Sequence, residues 1–305
     1  MVRKGGDPVK DTVAGWAGVP LEWGIMTIIR DPIAAGLFYP EKRAALRGML
    51  ARLFGTEAGT TARPMARSTG IVCPHAGYVY SGAVAAHAYR EIAMLGRPAW
   101  AILLGANHTG MGEPLSTMRE GVWRTPLGDA PIAADLADRL IAAGFSVSER
   151  AFLREHSLEV QLPFLQLLYG EDFPFVPVSV QLAPLATLRK AGEAVAELAA
   201  ESGGLVVASS DFTHYQPHDI AEGTDRRAIE KILALDIEGF YRLVAEEGLS
   251  ICGGGAITIL MQVASILDWT DIELLEYATS GDITGERDAV VGYAAIAFHG
   301  GACDT

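Results

Sequence analysis

Cysteine is scarce in this chain. Only Cys73, Cys252 and Cys303 occur, set far apart among 305 residues. An odd, sparse set argues against a disulfide framework and for a reducing, cytoplasmic compartment. Long apolar runs are missing too: the longest, such as residues 290–298 with an internal glycine, fall short of the ~18 residues a membrane-spanning helix needs. Basic residues are outnumbered, 24 Lys plus Arg against 37 Asp plus Glu, which leaves a net charge of −13 with no basic cluster to offset it locally. Such a surface repels phosphate backbones, so nucleic acid is not an expected partner. Nor does the chain start like an exported protein, because Lys4, Asp7, Lys10 and Asp11 break up the first residues and no apolar core follows.

What is present is core-forming material: half of the residues are apolar and a fifth charged. No stretch resembles an interdomain linker. The expected organisation is a flexible extension over residues 1–25, with Met26 as an alternative start, and a single domain over 26–305. Apolar runs bounded by Gly or Pro alternate with amphipathic segments, the pattern of an α/β fold. Strands are predicted over 70–73, 99–104, 114–119, 175–181, 204–208, 272–279 and 289–299. Helices are predicted over 39–53, 82–94, 134–143, 158–169, 186–201, 219–234, 237–245 and 255–267, with a loop over 56–68. Strands spaced by helices imply a largely parallel or mixed central sheet with helices on both faces.

The polar residues fall at telling places in this layout. One strand runs into Cys73-Pro74-His75-Ala76-Gly77-Tyr78, the next into Gly105-Ala106-Asn107-His108, and a later one into Ser209-Ser210-Asp211-Phe212-Thr213-His214. Three apolar strands thus each deliver a histidine just past the carboxyl end, where open α/β sheets bind ligands. His75 and His108 are read as a pair of metal ligands. Cys252 precedes Gly253-Gly254-Gly255 and a helix, whose first N–H groups would stabilise a thiolate, so it is a candidate third ligand. A nucleophilic cysteine with a histidine base is the competing reading, and a phosphate cradle a weaker one, since no Lys or Ser/Thr completes a P-loop. Asp211 and His214 are candidates for orienting a ligand or moving protons. Glu155-His156-Ser157 reads either as the first turn of a helix or as part of the site. His87 reads as a packing or surface residue, and His218 and His299 have no supporting neighbours.

These residues also carry a family resemblance. Residues 73–82, 85–89, Gly105-Ala106-Asn107-His108, Trp123-Arg124-Thr125-Pro126-Leu127, Glu155-His156-Ser157-Leu158-Glu159, residues 209–214 and Ile251-Cys252-Gly253 resemble, in order, the motifs of the Memo family, as do residues 35–40. The resemblance runs from about Arg30 to His299. Bacterial and archaeal members of that family include the AmmeMemoRadiSam system protein B, encoded or fused beside an AMMECR-type protein and a radical-SAM protein, which are therefore the implied protein partners. It further implies the fold of class III extradiol dioxygenases, which use non-haem Fe(II). Carried over, it puts the metal on His75, His108 and Cys252, with Asp211, His214 and His156 lining the same pocket as catalytic candidates. The dioxygenases complete their iron site with a carboxylate where this chain has a thiol. A thiolate is softer and admits Cu or Zn as competitors to Fe(II), so ring cleavage does not follow from the fold. Three functions stay open: a metal-dependent redox enzyme acting on a small chelating substrate, a non-catalytic binding, adaptor or metal-handling protein that engages a peptide or ligand, and a Zn-dependent hydrolase.

Overall fold

Four apolar runs, Thr69–Cys73, Leu205–Ser209, Ala101–Ala106 and Phe175–Val180, lie side by side in that order as parallel strands. Every residue in them is buried. Successive side chains on a strand point to opposite faces, so complete burial means that both faces of this part of the sheet are covered. The computed structural model describes residues 28–55, 63–201 and 203–300. The expected extension over 1–25, Cys303 and residues 56–62 of the expected loop lie outside these.

The parallel core is extended on both sides into a mixed sheet of nine strands among the described residues. Val290–His299 pairs antiparallel with Thr69–Cys73, and Asp271–Thr279 and His214–Gln216 pair in turn with Val290–His299. On the other side Leu115–Thr117 runs antiparallel to Phe175–Val180, and Ser146–Val147 completes the edge. Helices Tyr78–Leu95 and Gly254–Ile266 pack on the sheet, and Leu185–Glu201 packs on Gly254–Ile266. The result is one α/β domain with a mixed sheet and helices. None of its described helices is long and apolar enough to cross a membrane.

The strand order puts Leu205–Ser209 between Thr69–Cys73 and Ala101–Ala106, with Ser209 level with Cys73 on one side and Gly105 on the other. The first strand and the one that follows it in sequence are therefore separated in space, which opens a crevice beyond their carboxyl ends. Two glycines let other chain segments close on that edge. A Cβ at Gly105 would lie 2.4 Å from Leu158 Cδ2 and 2.6 Å from Ser157 Oγ, and one at Gly253 would lie 2.5 Å from the Ser209 carbonyl oxygen.

All predicted strands and helices have counterparts, most with shifted ends and the helix over 237–245 with the ends expected. The departure in kind is at the helix expected over 158–169. Glu159–Gln161 form a 3₁₀ turn and the α-helix starts only at Leu162, because Pro163 has no N–H to give and belongs in a first turn. Five short strands escape the sequence reading: Ile29–Arg30, Val122–Thr125, Gly128–Pro131, Ser146–Val147 and His214–Gln216. At two to four residues each, they are too short for an alternation of apolar and polar residues to register.

Candidate metal centre

His75 follows Pro74 past the end of its strand and is 2 % exposed. Its backbone N–H donates to Asp211 Oδ1 at 2.8 Å, and the Ala76 N–H donates to the same oxygen at 3.3 Å, so the carboxylate from the middle strand fastens the loop of its neighbour. His75 Nδ1 lies 3.0 Å from Ser209 Oγ, at the end of that middle strand. His108 lies within a turn in which the Asn107 side chain accepts the Gly110 N–H at 2.8 Å. The His108 backbone N–H donates to Glu155 Oε2 at 2.7 Å, and its Nδ1 is 2.9 Å from Glu155 Oε1.

The third imidazole is His156. The ring centroids of His75 and His108 are 5.2 Å apart, those of His75 and His156 5.5 Å, and those of His108 and His156 4.8 Å. One nitrogen from each ring falls within 4.8 Å of the other two, a group that can hold a metal ion. Phe38 stacks on His156 with ring centroids 4.2 Å apart. The Phe38 loop is pinned by a fully buried carboxylate, Glu159, which accepts from Arg30 Nη1 at 2.5 Å, the N–H groups of Ile33 and Ala34 at 3.0 and 2.9 Å, and the Tyr39 hydroxyl at 2.5 Å.

Cys252 enters from the turn before helix Gly254–Ile266. Its sulfur lies 3.1 Å from His75 Nε2 and accepts the Asp211 N–H at 3.3 Å. Burial and the Asp211 carboxylate push the Cys252 thiol up. That corrects the expectation that the helix start lowers it: the N–H groups of Asp211 and Gly253 work in that direction but are outweighed. Burial, with His108 next, holds the His75 imidazole down at about 3, and burial with His75 holds His156 at about 4. Both rings are therefore neutral near pH 7, the form that ligates metals. Burial alone would lower His108, but the hydrogen bond and charge of Glu155 prevail and raise it. Burial would likewise raise Glu155, yet His108 and the N–H groups it accepts bring it down to about 2. Asp211 is raised by burial against the N–H groups of His75 and Ala76.

His75, His108, His156 and Asp211 line a cavity of about 590 Å³ whose wall also includes Phe38, Tyr80, Tyr215 and Tyr293. His214 lines it as well, with Nδ1 2.8 Å from the Ser250 carbonyl oxygen. The register shifts between His214 and Gln216, and Tyr215 takes a positive φ of 58°, an uncommon conformation for a bulky residue. This irregularity lets His214 line the cavity while Tyr215 stands 76 % exposed at its mouth.

His75, His108, His156, Asp211 and His214 all line this one cavity, and Cys252 touches His75 and Asp211. Sequence reasoning left the Glu155 segment open between a first turn and a site role, and gave Ser209 and Phe38 no role of their own although both lie in the motifs it singled out. A buried carboxylate beside His156 has no signature in periodicity. The only available hint was its place next to a histidine, in Glu155-His156-Ser157.

A family model described as Memo-like protein matches residues 30–297. A MEMO1 family protein of Methanopyrus kandleri is 44 % identical over 281 residues, covering 89 % of this chain and 99 % of the relative. A MEMO1 family protein of Methanothermobacter thermautotrophicus is 44 % identical over 275 residues, covering 88 % and 99 %. Among solved structures, an uncharacterized protein of Escherichia coli is similar with a TM-score of 0.51 at 16 % identity, covering 75 % of this chain and 99 % of that one, a likeness of fold alone.

Proposed function

The chain belongs to the Memo-like protein family, and from that premise we propose that its cavity is the active site of a metal-dependent redox enzyme holding Fe(II) on His75, His108 and Cys252. The observation that carries the reading is the 3.1 Å between Cys252 Sγ and His75 Nε2, beside a second neutral-capable imidazole. An ion bonded to nitrogen at ~2.0–2.1 Å and sulfur at ~2.3 Å needs those two atoms about 3.1–3.6 Å apart, so this pair fits without rearrangement. The proposal takes the fold to be that of the class III extradiol dioxygenases, supported by histidines gathered beyond the carboxyl ends of parallel strands.

Bound there, Fe(II) supplies one-electron chemistry and open positions for O₂ and a chelating substrate. The chain's own residues supply the rest. The aromatic wall of Phe38, Tyr80 and Tyr293 excludes water and packs against a small apolar or aromatic substrate. His214, held through Nδ1, presents its other nitrogen for proton transfer, and His156 is the second candidate acid–base group. Asp211 keeps the His75 loop in place through two N–H groups. Under the same proposal the protein works in the cytoplasm beside AMMECR-type and radical-SAM proteins.

A second reading makes His156 the third ligand in place of Cys252. The geometry favours it: among the described residues the three imidazoles form the group whose ligand atoms all lie within 4.8 Å of one another, and Cys252 is not part of that group. The nitrogens must still close to the roughly 3.4 Å a tetrahedral ion requires. Anaerobic purification followed by metal analysis tests both. The first reading expects near one iron per chain, lost in Cys252→Ala and kept in His156→Ala, and the second expects the reverse. Zinc in place of iron under anaerobic loading favours a hydrolase, and a chain that takes up no metal leaves a binding or adaptor role.

A further inference from the structure

The partners of the two shared ligands fix which ring nitrogen carries the proton. Glu155, as a carboxylate, can only accept. It receives the Ser157 N–H at 2.9 Å and the His108 N–H at 2.7 Å, and His108 Nδ1 stands 2.9 Å from Oε1. The His108 proton therefore sits on Nδ1. Behind His75 the partner is a hydroxyl, which could donate or accept, but its role is decided one bond further on. Ser209 Oγ has a single proton, and that proton goes to the Ser157 carbonyl oxygen at 2.7 Å, an atom that can only accept. Gln161 Nε2 donates to the same Oγ at 2.8 Å, with its amide held the right way round because Nε2 also donates to the Pro74 carbonyl and Oε1 accepts the Tyr89 hydroxyl. Ser209 is thus an acceptor toward His75, and the His75 proton also sits on Nδ1. His156 is different: its Nδ1 lies 3.8 Å from Glu155 Oε1, beyond hydrogen-bond distance.

We propose that Glu155 and Ser209 are positioning residues that lock His108 and His75 in the Nδ1–H tautomer and so make Nε2 of each ring the metal-binding nitrogen. The inference rests on reading the cavity as a metal centre. One stretch of chain sets both rings, since the Glu155 side chain aims one and the Ser157 carbonyl, through Ser209, aims the other. In this arrangement the Cys252 S–H points at His75 Nε2, and a metal ion takes the place of that proton.

The test uses the full chain with histidines labelled in ¹⁵N and long-range ¹H–¹⁵N correlation at alkaline pH, where imidazoles are neutral. Wild-type His75 and His108 are expected to show a protonated Nδ1 and an unprotonated Nε2, while His156 shows exchange between tautomers. Ser209→Ala should release His75 from this pattern, and Glu155→Gln should release His108, because one amide oxygen cannot accept three donors. In Co(II) titrations read by the ligand-field spectrum, Glu155→Gln should bind roughly 10–100-fold more weakly and Ser209→Ala toward the lower end of that range. An Nε2–H tautomer at either ring in the wild type, or wild-type Co(II) affinity and spectrum in both variants, overturns the proposal. Should Glu155→Gln fail to fold, Ser209→Ala and the wild-type tautomers still decide. A wild type with the expected tautomers that takes up no Co(II) overturns the metal reading itself, and with it the assignment of Nε2 as a ligand atom.

Discussion

Glu155 and Glu159, four residues apart on one segment, are both fully buried, and their partners separate them. Glu159 accepts from a guanidinium, two backbone N–H groups and a tyrosine hydroxyl, all from residues 30–39. Arg30 in turn donates to the Phe152 and Glu155 carbonyls and lies 4.1 Å over the Trp123 ring. Glu159 therefore fastens one piece of chain to another. Glu155 accepts from the ring and backbone of a single histidine and from Ser157, and so aims a side chain into a cavity. A buried acid is thus no marker of chemistry by itself; the groups whose N–H it accepts decide what it does.

Four experiments can break or sharpen that contrast. The largest effect is expected for Glu159→Gln, which strands a buried guanidinium and should lower unfolding free energy by about 3–5 kcal/mol in urea titrations, while the folded fraction keeps near wild-type metal affinity. A loss of metal binding at full stability would erase the distinction. Next is the acid response of the metal-stripped protein. An unfolded chain protonates its imidazoles near 6.5, whereas folded His75 and His156 resist to about 3 and about 4. Their contribution is complete above pH 6.5 and declines as pH falls toward 4 and then 3, on the order of 3–5 kcal/mol per ring at full effect. A flat stability profile between pH 6.5 and 4 would show the rings to be solvated. Glu155→Gln should reverse the balance of Glu159→Gln: a smaller loss of about 1–3 kcal/mol in stability, with the metal affinity chiefly affected. Smallest is Phe38→Ala, which removes the stack on His156 and should cost about 1 kcal/mol by the same titrations. An effect several times larger would make the Phe38 loop part of the core.

Much of the framework was legible because apolar runs of five or six residues, cut by Gly or Pro, report strands buried on both faces. The clustering of His75, His108 and Asp211 followed from their places just past those runs. What escaped depends on contacts that no local pattern records. Glu155 meets His108 across 47 residues and Ser209 meets His75 across 134. The 3₁₀ turn before Leu162 was hidden by apolar spacing that suits a helix, and only Pro163 hinted that regular hydrogen bonding starts later. The thiol of Cys252 was misjudged in its acidity because the helix start was visible in sequence and the carboxylate beside it was not.

Gly105 carries a consequence of its own. Any side chain there would wedge Ser157 and Leu158 off the strand, and both the oxygen that orients Ser209 and the carboxylate two residues upstream would move together. Gly105→Ala should therefore slacken two imidazoles at once from a position that touches neither, so a design that transplants this cavity must carry the bare backbone of that strand along with the histidines.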